Sequence, residues 1–430
     1  MTTSSTTSTP GARRDVIVVG GGPAGSTAAN LLAQAGHDVV VLEKEVFPRF
    51  HIGESLLPID LPIFTRLGVA LDPTMFLRKD GAEFIDETTG ERVVFSFANG
   101  MTGLAPHAYQ VERAAFDHEL LRAARAHGAE VREGVRVERI QVGQDDVTVE
   151  VDAGAEPLRA RFLVDATGQD AFLGRAGRTV EPIKGFGRVA VFRHYHGLAP
   201  EIARELSETG NIKVLMVPEG WMWLIPLTGA RLSVGLVSRE ATNSPETLER
   251  AIAISPLIQR LTAGAHGTEP RIIRNFSYKN VEAGGPRWAC VGDAACFLDP
   301  VFSSGVSLAM LSAESLADLL SPALRDGTES RSDLMTAHAR RMELGYRSFA
   351  GLIGRFYDHA IVRNLFFAGS DSEVYRPGII SVLGGDLWRD DNPFQKLLLS
   401  SSAATAAWEQ PRAQADGAAG PSAAPRTRPR

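Results

Sequence analysis

Residues 15–25 read DVIVVGGGPAG, and the architecture of the N-terminal part follows from them. Four consecutive apolar residues in Asp15–Val19 predict a buried β-strand. A glycine cluster comes next, and Ala24–Ala35 then has the apolar spacing of an α-helix that ends at Gly36. The apolar segment Asp38–Leu42 predicts a second strand. Strand, helix and strand in this order predict a βαβ unit with two parallel strands.

The glycine cluster fits the pattern G-x-G-x-x-G, with Gly20, Gly22 and Gly25 at the three glycine positions. Glycines there allow a tight turn, the close approach of a pyrophosphate to the backbone and the packing of the helix on the strand. Glu43 ends the second strand, where an acidic side chain receives ribose hydroxyls and disfavours a 2′-phosphate. The alternative is a glycine turn that holds no ligand. The pattern favours an FAD or NAD site, with contacts from Gly20, Gly22, Ala24, Gly25, Glu43 and Lys44.

The composition argues against several classes of protein. The chain has 430 residues, of which 44% are hydrophobic and 22% charged, enough for a large core in two domains or one interleaved domain. A net charge of −6 argues against nucleic acid as the main partner. No apolar run reaches the length of a membrane helix and the N-terminus has no apolar signal core, so we expect a cytoplasmic protein without a membrane partner. Two cysteines, Cys290 and Cys296, are too few for a disulfide framework or a zinc site.

The rest of the chain divides by composition and periodicity. Three consecutive antiparallel strands are predicted at Ile212–Val217, Trp221–Leu227 and Leu232–Val237, and residues 333–367 have a helical pattern. We therefore predict an α/β fold in which a Rossmann-like dinucleotide-binding domain carries an inserted antiparallel β-sheet domain and C-terminal helices. The predicted parts are a disordered tail (1–14), dinucleotide-binding segments (about 15–80, 110–180 and 270–330), substrate β segments (about 81–109 and 181–269), a helical part (about 331–400) and a second disordered tail (401–430).

Three later segments favour FAD among the dinucleotides. Arg113 precedes the predicted helix Ala115–Ala126, Gly168 lies in a small turn after a strand, and Asp293 follows the predicted strand Trp288–Val291. Together with the glycine cluster, these segments resemble the two-domain flavoprotein monooxygenase superfamily. The resemblance implies that Arg113 and Asp293 contact FAD and that Gly168 packs close to it. Taken alone, Arg113 could form a surface ion pair and Asp293 could cap a helix.

A tryptophan-rich segment, WMWLIP at residues 221–226, suggests the chemistry. On a strand, Trp221, Trp223 and Ile225 share one face and form a broad apolar wall. Paired aromatics of this kind often fill a protein core. The pattern W-x-W-x-I-P, however, resembles the hallmark of flavin-dependent halogenases. In that family the wall, here Trp221, Trp223, Ile225 and Pro226, lies between flavin and substrate and blocks direct oxygen transfer.

Lys79 stands just before a Gly-Ala-Glu-Phe segment at residues 81–84. Taken alone, it could be a solvated lysine beside a turn. By its neighbours it falls where halogenases carry their catalytic lysine. An amine at this place can hydrogen-bond hypohalous acid or form a haloamine, and a partly buried lysine changes its protonation state readily. The resemblance thus implies that Lys79 is catalytic.

Ser304 and Gly305 stand at the start of a predicted helix. The free amides and the positive dipole end of a helix start form an anion site. The resemblance implies that the amides of Ser304 and Gly305 bind halide and that Gly305 and Val306 contact the flavin. Halogenases of free tryptophan carry a glutamate where this chain has Phe302, and they are longer at the C-terminal side. The chain therefore resembles the shorter phenol- and pyrrole-halogenating branch, and the glutamate partner of the lysine is absent at this position.

The loop of residues 49–58, RFHIGESLLP, matches the G-E-S-L-x-P segment of the same family. We expect this loop to be mobile and to lie near the flavin ring, with His51 and Glu54 as loop anchors rather than catalysts. His194 and His196 alternate on a predicted strand but lack partners with metal-ligand spacing. No metal site is therefore predicted.

The resemblance implies an enzyme, an FADH2- and O2-dependent halogenase that oxidises chloride or bromide to hypohalous acid. The expected product is a halogenated phenol or pyrrole of natural-product (antibiotic) biosynthesis. Its precursor is either free or tethered to an acyl or peptidyl carrier protein. A separate flavin reductase is expected to supply reduced flavin, because the chain has no second dinucleotide fingerprint.

Three alternatives stay open from the sequence. One is a flavin-dependent aromatic hydroxylase or epoxidase that uses NADPH directly. The second is a flavoprotein similar to geranylgeranyl reductase, which needs no O2. The third is a degenerate flavoprotein that acts only as a binding module. The substrate, the choice of halide and the oligomeric state are not determined by the sequence.

Overall fold

The computed structural model describes residues 13–152, 155–183, 185–238, 244–274, 277–357 and 374–400. Most of the first predicted tail, residues 1–12, and all of the second lie outside these ranges. Arg14 already belongs to the first strand, so the folded part begins slightly before the predicted boundary. Of the predicted helical segment 333–367, residues 358–367 also lie outside the described ranges.

The strands and helices follow one another along the described ranges in mixed order. In chain order the strands are β1 (Arg14–Val19), β2 (Val39–Glu43), β3 (Phe76–Lys79), β4 (Gly81–Asp86), β5 (Arg92–Ser96), β6 (Ala108–Val111), β7 (Glu130–Glu133), β8 (Val137–Val142), β9 (Val147–Val151), β10 (Leu158–Asp165), β11 (Val180–Pro182), β12 (Val189–His196), β13 (Ile212–Val217), β14 (Gly220–Leu227), β15 (Arg231–Ser238), β16 (His266–Gly267), β17 (Arg271–Arg274), β18 (Tyr278–Asn280), β19 (Gly284–Gly285), β20 (Trp288–Cys290) and β21 (Cys296–Phe297). The helices are α1 (Pro23–Gln34), α2 (Asp60–Leu67), α3 (Arg113–Ala126), α4 (Phe172–Gly177), α5 (Pro200–Ser207), α6 (Pro245–Ile254), α7 (Pro256–Thr262), α8 (Ser304–Asp326), α9 (Thr336–Tyr357), α10 (Arg376–Leu383) and α11 (Pro393–Leu399).

The first sheet has the strand order β19-β20-β10-β1-β2-β7, with β8 and β9 attached as an antiparallel hairpin beside β10. The pairs β1–β2, β1–β10, β2–β7 and β10–β20 are parallel. Strands β1 and β2 are apolar and almost wholly buried, as parallel strands covered on both faces are. Helix α1 packs between α3 and α8 on this sheet. The predicted βαβ unit and the Rossmann-like architecture are therefore confirmed.

The second sheet has the order β16-β12-β15-β14-β13-β4-β5, with β17 also on β12. The three predicted strands β13, β14 and β15 are consecutive and antiparallel, as expected from their alternating pattern. The predicted antiparallel sheet includes one parallel pair, β13–β4. One face of β14 carries Trp221, Trp223 and Ile225 toward α9 and α10, and the other carries Met222 and Leu224 toward α6 and α7.

None of the helices in the described part of the chain combines the length and the apolar composition that a bilayer crossing requires.

Candidate active site

A cavity of about 770 Å³ lies at the carboxyl ends of the parallel strands of the first sheet. Its lining includes Gly20 after β1, Glu43 at the end of β2 and Thr167 after β10. Ligands of doubly wound α/β folds bind at this edge. Trp221 and Trp223 of β14 also line the cavity, so it reaches from the first sheet to the second. Its volume is that of a small-molecule or cofactor site.

The glycine turn leaves no room for side chains. A Cβ on Gly20 would lie 2.3 Å from the carbonyl oxygen of Ala166, and a Cβ on Gly25 would lie 1.9 Å from the carbonyl oxygen of Gly20. Gly20 also has a φ of +103°, which other residues adopt only with strain. Glycine is therefore required at both positions, because the chain crosses itself closely where β1 enters α1.

The carboxylate of Glu43 is fixed beside this turn. It accepts hydrogen bonds from the backbone N–H of Gly21 at 2.6 Å and of Glu45 at 2.8 Å. Lys44 lies at the rim of the cavity with its Nζ 2.5 Å from a carboxylate oxygen of Asp170. Of the six predicted dinucleotide contacts, the structure brings all but Gly25 to the cavity lining: Gly20, Gly22, Ala24, Glu43 and Lys44.

Arg113 and Asp293 also line the cavity. Arg113 is buried and forms a bidentate ion pair with Asp117, from Nε to Oδ1 at 2.7 Å and from Nη2 to Oδ2 at 2.9 Å. It is therefore not the surface ion pair that the sequence alone allowed. Its Nη1 also donates to the carbonyl oxygen of Ile52 at 2.6 Å and thereby holds the loop of residues 49–58. Burial raises the pKa of Asp293 to about 7, against the opposing charge of Arg113. Gly168, expected to pack close to the cofactor, lines the same cavity.

These residues fit FAD. The turn at Gly22 has the open backbone that a pyrophosphate needs, and the Glu43 carboxylate would accept hydrogen bonds from the ribose hydroxyls. Asp293 would receive the ribityl hydroxyls from the middle of the cavity. Gly305 and Val306 of α8 would lie against the flavin ring, since both line the cavity.

The tryptophan wall is buried and held by hydrogen bonds. The ring centroids of Trp221 and Trp223 are 6.0 Å apart. Nε1 of Trp221 donates to the hydroxyl of Tyr357 at 2.9 Å, and Nε1 of Trp223 donates to Oγ of Ser233 at 3.1 Å. Ile225 lines the cavity beside them, whereas Pro226, the fourth predicted wall residue, does not. Because both indole N–H groups are satisfied, the two rings are fixed in orientation.

Lys79 ends β3 and is only 1% exposed, which excludes the solvated lysine that its sequence alone allowed. Its Nζ donates to Oγ of Ser55 at 2.8 Å and to the carbonyl oxygen of Leu56 at 2.9 Å. The ring of Phe97 lies 5.3 Å from Nζ. Burial lowers the pKa of Lys79 from its ordinary value of 10.5 to about 7, although the charge of Asp60 opposes this change. Both protonation states of the amine are therefore accessible at neutral pH.

Lys79 faces a second, small cavity that is otherwise almost entirely apolar. The lining side chains are Leu57, Lys79, Ala82, Phe84, Phe97, Ile212, Val214, Val301, Phe302, Ser303 and Leu383. Ile212 and Ser303 also line the large cavity, so the two cavities are neighbours. The tryptophan wall lines the large cavity and the lysine lines the small one.

The start of α8 adjoins both cavities. Ser303 precedes the helix with a left-handed φ of +58° and lines both cavities, and Ser304 is buried in the first turn. Gly305 and Val306 line the large cavity. Phe302 is buried and its ring packs edge-on against Phe356 at 5.5 Å. The predicted halide amides thus begin a helix of 23 residues between the predicted flavin site and Lys79.

Two buried polar contacts were not predicted from the sequence. His194 of β12, predicted to lack partners with metal-ligand spacing, has its Nε2 2.5 Å from Oε1 of Glu54 in the loop of residues 49–58. The hydroxyl of Tyr357 donates to Oδ2 of Asp299 at 2.9 Å, and burial raises the pKa of Asp299 to about 7. No local spacing indicates either pair, because the partners are far apart in sequence. No group of His, Cys, Asp and Glu side chains with the geometry of a metal site is found in the described ranges.

Comparison with known proteins identifies the family of this chain. The family model for tryptophan halogenases matches residues 15–106 and 98–361. A tryptophan 2-halogenase of Chondromyces crocatus is 36% identical over 317 residues, which are 69% of this chain and 59% of that protein. The chain therefore spans about three-fifths of the length of that relative.

Two further relatives match over nearly their whole length. The 1H-pyrrole-2-carbonyl-(peptidyl-carrier protein) brominase of Pseudoalteromonas luteoviolacea is 32% identical over 389 residues, covering 86% of this chain and 91% of that protein. The solved structure of a flavin-dependent brominase superposes with a TM-score of 0.79 at 27% identity, covering 90% of this chain and 97% of that one. On this evidence the chain belongs to the tryptophan halogenase family of flavin-dependent halogenases and is an oxidoreductase whose cofactor is FAD.

Proposed function

We propose that this chain halogenates an electron-rich aromatic ring held beside Lys79. The observation that carries the proposal is the buried Lys79, which lines a small apolar cavity that shares Ile212 and Ser303 with the large cavity. When bound, reduced FAD together with O2 supplies the oxidation of chloride or bromide to hypohalous acid. The residues of the chain would bind the halide, keep the substrate ring away from the flavin and deliver the halogen to that ring.

The start of α8 supplies the proposed halide site. The amides of Ser304 and Gly305 belong to the first turn of the helix, so they have no partner within the helix itself. The aligned peptide dipoles make this end positive and favour an anion. Gly305 lines the large cavity, which would bring the halide next to the flavin ring.

The tryptophan wall lines the large cavity and would separate the flavin from the substrate. Trp221 and Trp223 are fixed by their bonds to Tyr357 and Ser233, so neither ring swings aside without losing a buried hydrogen bond. A molecule as small as hypohalous acid can pass beside such a wall, whereas an aromatic substrate cannot. Direct oxygen transfer to the substrate is thereby prevented.

Lys79 would receive the hypohalous acid. Its ammonium form can donate a hydrogen bond to the oxygen and make the halogen more electrophilic. Its neutral form can attack the halogen, which forms an N–halogen bond and releases water. A pKa of about 7 makes both forms available. In either case the electron pair of the ring takes the halogen, and the ring then loses a proton.

The lining of the small cavity indicates the class of substrate. The cavity has a volume of about 20 Å³, room for about one water molecule, so a ring enters only if the lining side chains move apart. Apart from Lys79 and Ser303 those side chains are apolar, which suits a small ring without a carboxylate. A pyrrole or a phenol has this character. The likeness to the brominase of pyrrole attached to a peptidyl carrier protein supports a tethered substrate, with the carrier protein as partner. We further propose that a separate flavin reductase supplies the reduced FAD.

Lys79→Ala tests this function. The variant is expected to bind FAD and to consume O2 in the presence of halide as the wild type does. Its rate of forming halogenated pyrrole or phenol should fall by about 100-fold or more, as is typical for loss of a catalytic acid or base. Product is measured by mass spectrometry with chloride or bromide, chemically reduced FAD and O2.

Lys213→Ala is the matched control, because Lys213 of β13 pairs with Glu83 and lines neither cavity. It is expected to halogenate at the wild-type rate. Wild-type product formation by Lys79→Ala would contradict the proposed role of the lysine. An oxygenated product that forms equally well without halide would contradict the halogenase function itself.

A further inference from the structure

A buried carboxylate outside the predicted site is connected to Lys79. Asp60 is the first residue of α2 and has no exposed surface. Its Oδ2 accepts hydrogen bonds from the backbone N–H of Leu57 at 2.9 Å and from Oγ of Ser307 at 2.8 Å. Its Oδ1 is buried and has no hydrogen-bond partner among the described residues. A carboxylate in this situation is costly unless a cation compensates for it.

A single peptide group joins Asp60 to Lys79. The carbonyl oxygen of Leu56 accepts from Nζ of Lys79, and the N–H of the same peptide, on Leu57, donates to Asp60. The cation and the carboxylate thus polarise one peptide group in the same direction, which strengthens both hydrogen bonds. The two groups are therefore coupled through one covalent unit as well as through space.

Their charges also act on each other. The charge of Lys79 lowers the pKa of Asp60, and the charge of Asp60 raises the pKa of Lys79. Burial acts in the opposite direction on each and brings the pKa of Asp60 up to about 6 and that of Lys79 down to about 7. The ionised forms of the two groups therefore stabilise each other. The other side chains that line the small cavity with Lys79 are uncharged.

Asp60 is bound at the same time to the helix that carries the proposed halide amides. Ser307 lies in α8 one turn after Ser304, and it donates to the same carboxylate oxygen as Leu57 does. One carboxylate therefore connects the loop that accepts hydrogen bonds from Lys79 with the first turns of α8.

We propose that Asp60 is a positioning residue that holds Lys79 in its ammonium form and fixes it relative to the start of α8. The role of this pair in halogenation rests on the proposed function of Lys79, whereas the pairing itself does not. Asp60 does not line the large cavity, so its effect would reach the reaction through Leu57, Lys79 and Ser307.

The test is a titration of the full chain labelled with carbon-13 at the ε position of lysine and followed by NMR. The chain has only six lysines, so Lys79 is assigned by the signal that disappears in Lys79→Arg. Asp60→Asn keeps an oxygen that accepts from Leu57 but removes the charge. It is expected to lower the pKa of Lys79 by about one pH unit or more, as the loss of a nearby opposite charge does.

Ser307→Ala is the matched control, because it removes the other hydrogen bond of Asp60 and keeps the carboxylate. Ser307→Ala is expected to change the pKa of Lys79 by less than half of the change that Asp60→Asn causes. An unchanged pKa of Lys79 in Asp60→Asn, or an equal change in both variants, would overturn the proposal. If Asp60→Asn does not fold, the reciprocal titration decides, since Lys79→Met should raise the pKa of a carbon-13-labelled Asp60 and an unchanged value would count against the pair.

A pH profile of halogenation separates this proposal from the proposed function. If Lys79 controls the rate, the inflection near pH 7 moves to lower pH in Asp60→Asn. A shifted NMR titration in a protein that makes no halogenated product would leave the pairing standing and remove the proposed function. An active enzyme in which the pKa of Lys79 is the same with and without the Asp60→Asn substitution would leave the proposed function standing and remove the pairing.

Discussion

At the scale of single residues, burial brings two different groups to the same pKa. It disfavours the charged form, so it lowers the pKa of the Lys79 amine and raises that of the Asp293 carboxyl, both to about 7. Each group has one opposing charge, Asp60 for the lysine and Arg113 for the aspartate. Burial thus shifts the pKa of each group toward neutral pH, for Asp293 in the large cavity and for Lys79 in the small cavity beside it.

The pKa of Asp293 predicts a pH dependence of cofactor binding. Below about pH 7 its carboxyl is neutral, and above that pH it is an anion, which accepts hydrogen bonds from ribityl hydroxyls more strongly. The dissociation constant of FAD is therefore expected to fall about tenfold between pH 6 and pH 8, corresponding to one charge-assisted bond. In Asp293→Asn it should hardly change over this range. Fluorescence titration measures both.

The control for this measurement is Asp318→Asn, an exposed carboxylate that pairs with Arg66 away from the cavity. It should keep the wild-type pH dependence. If Asp293→Asn keeps it too, the carboxyl that titrates belongs to another residue.

At the scale of elements, the wall depends on the strand next to it. Trp223 of β14 lies opposite Gly235 of β15, and a Cβ on Gly235 would lie 2.2 Å from the indole ring. The ring of Trp223 thus occupies the place of a side chain on β15. Phe192, whose ring centroid is 5.8 Å from that of Trp223, covers it on the next strand, β12. The orientation of Trp223 therefore depends on glycine at position 235 as well as on the tryptophan itself.

Gly235→Ala should move Trp223 and break its hydrogen bond to Ser233. Overpacking of this kind is expected to lower the free energy of unfolding by about 1–3 kcal/mol. Thermal unfolding measures the loss, and tryptophan fluorescence reports the changed surroundings of the ring. Gly354→Ala in α9 is the control, because nothing lies within 4 Å of the added Cβ and alanine favours a helix. A Gly235→Ala variant as stable as this control would show that the wall adapts freely.

At the scale of the whole molecule, one loop joins the two sheets over the large cavity. Glu54 of this loop contacts His194 of β12, and the ring of Phe50 stacks on that of Phe192 at 6.3 Å. The guanidinium of Arg271 lies 3.6 Å from the ring centroid of Phe50. The loop expected to be mobile is thus bound at several points to the second sheet in this structure, and its anchor Glu54 has a long-range partner.

His194→Ala should destabilise the molecule because it leaves Glu54 buried without this partner. A loss of about 1–3 kcal/mol is expected, the usual cost of an unsatisfied buried polar group. In a Glu54→Gln background the same substitution should cost less, since the amide carries no charge. A double-mutant cycle by chemical denaturation measures this coupling. Additive losses would mean that the contact does not join the loop to the sheet.

Much of the site was predictable from single residues in local patterns. The glycine turn, Glu43 and the shared face of Trp221 and Trp223 all lie at the cavity, as their spacing indicates. The family match sets aside the hydroxylase, reductase and binding-module alternatives. The roles of Lys79 and Ser304 stay predictions, because they depend on chemistry that the fold alone does not test.

What the sequence by itself determined about this protein is its local structure: the βαβ unit, the glycine turn, the three antiparallel strands and the family. The strands and helices follow from periods of two and 3.6 residues, which act between near neighbours, and the family follows from the resemblance of motifs such as WMWLIP at residues 221–226. Only the tertiary structure decided that Lys79 is buried, that one peptide group lies between it and Asp60, and that Glu54 meets His194. Such contacts join residues far apart along the chain, and a local sequence period does not determine which buried charged side chains come together.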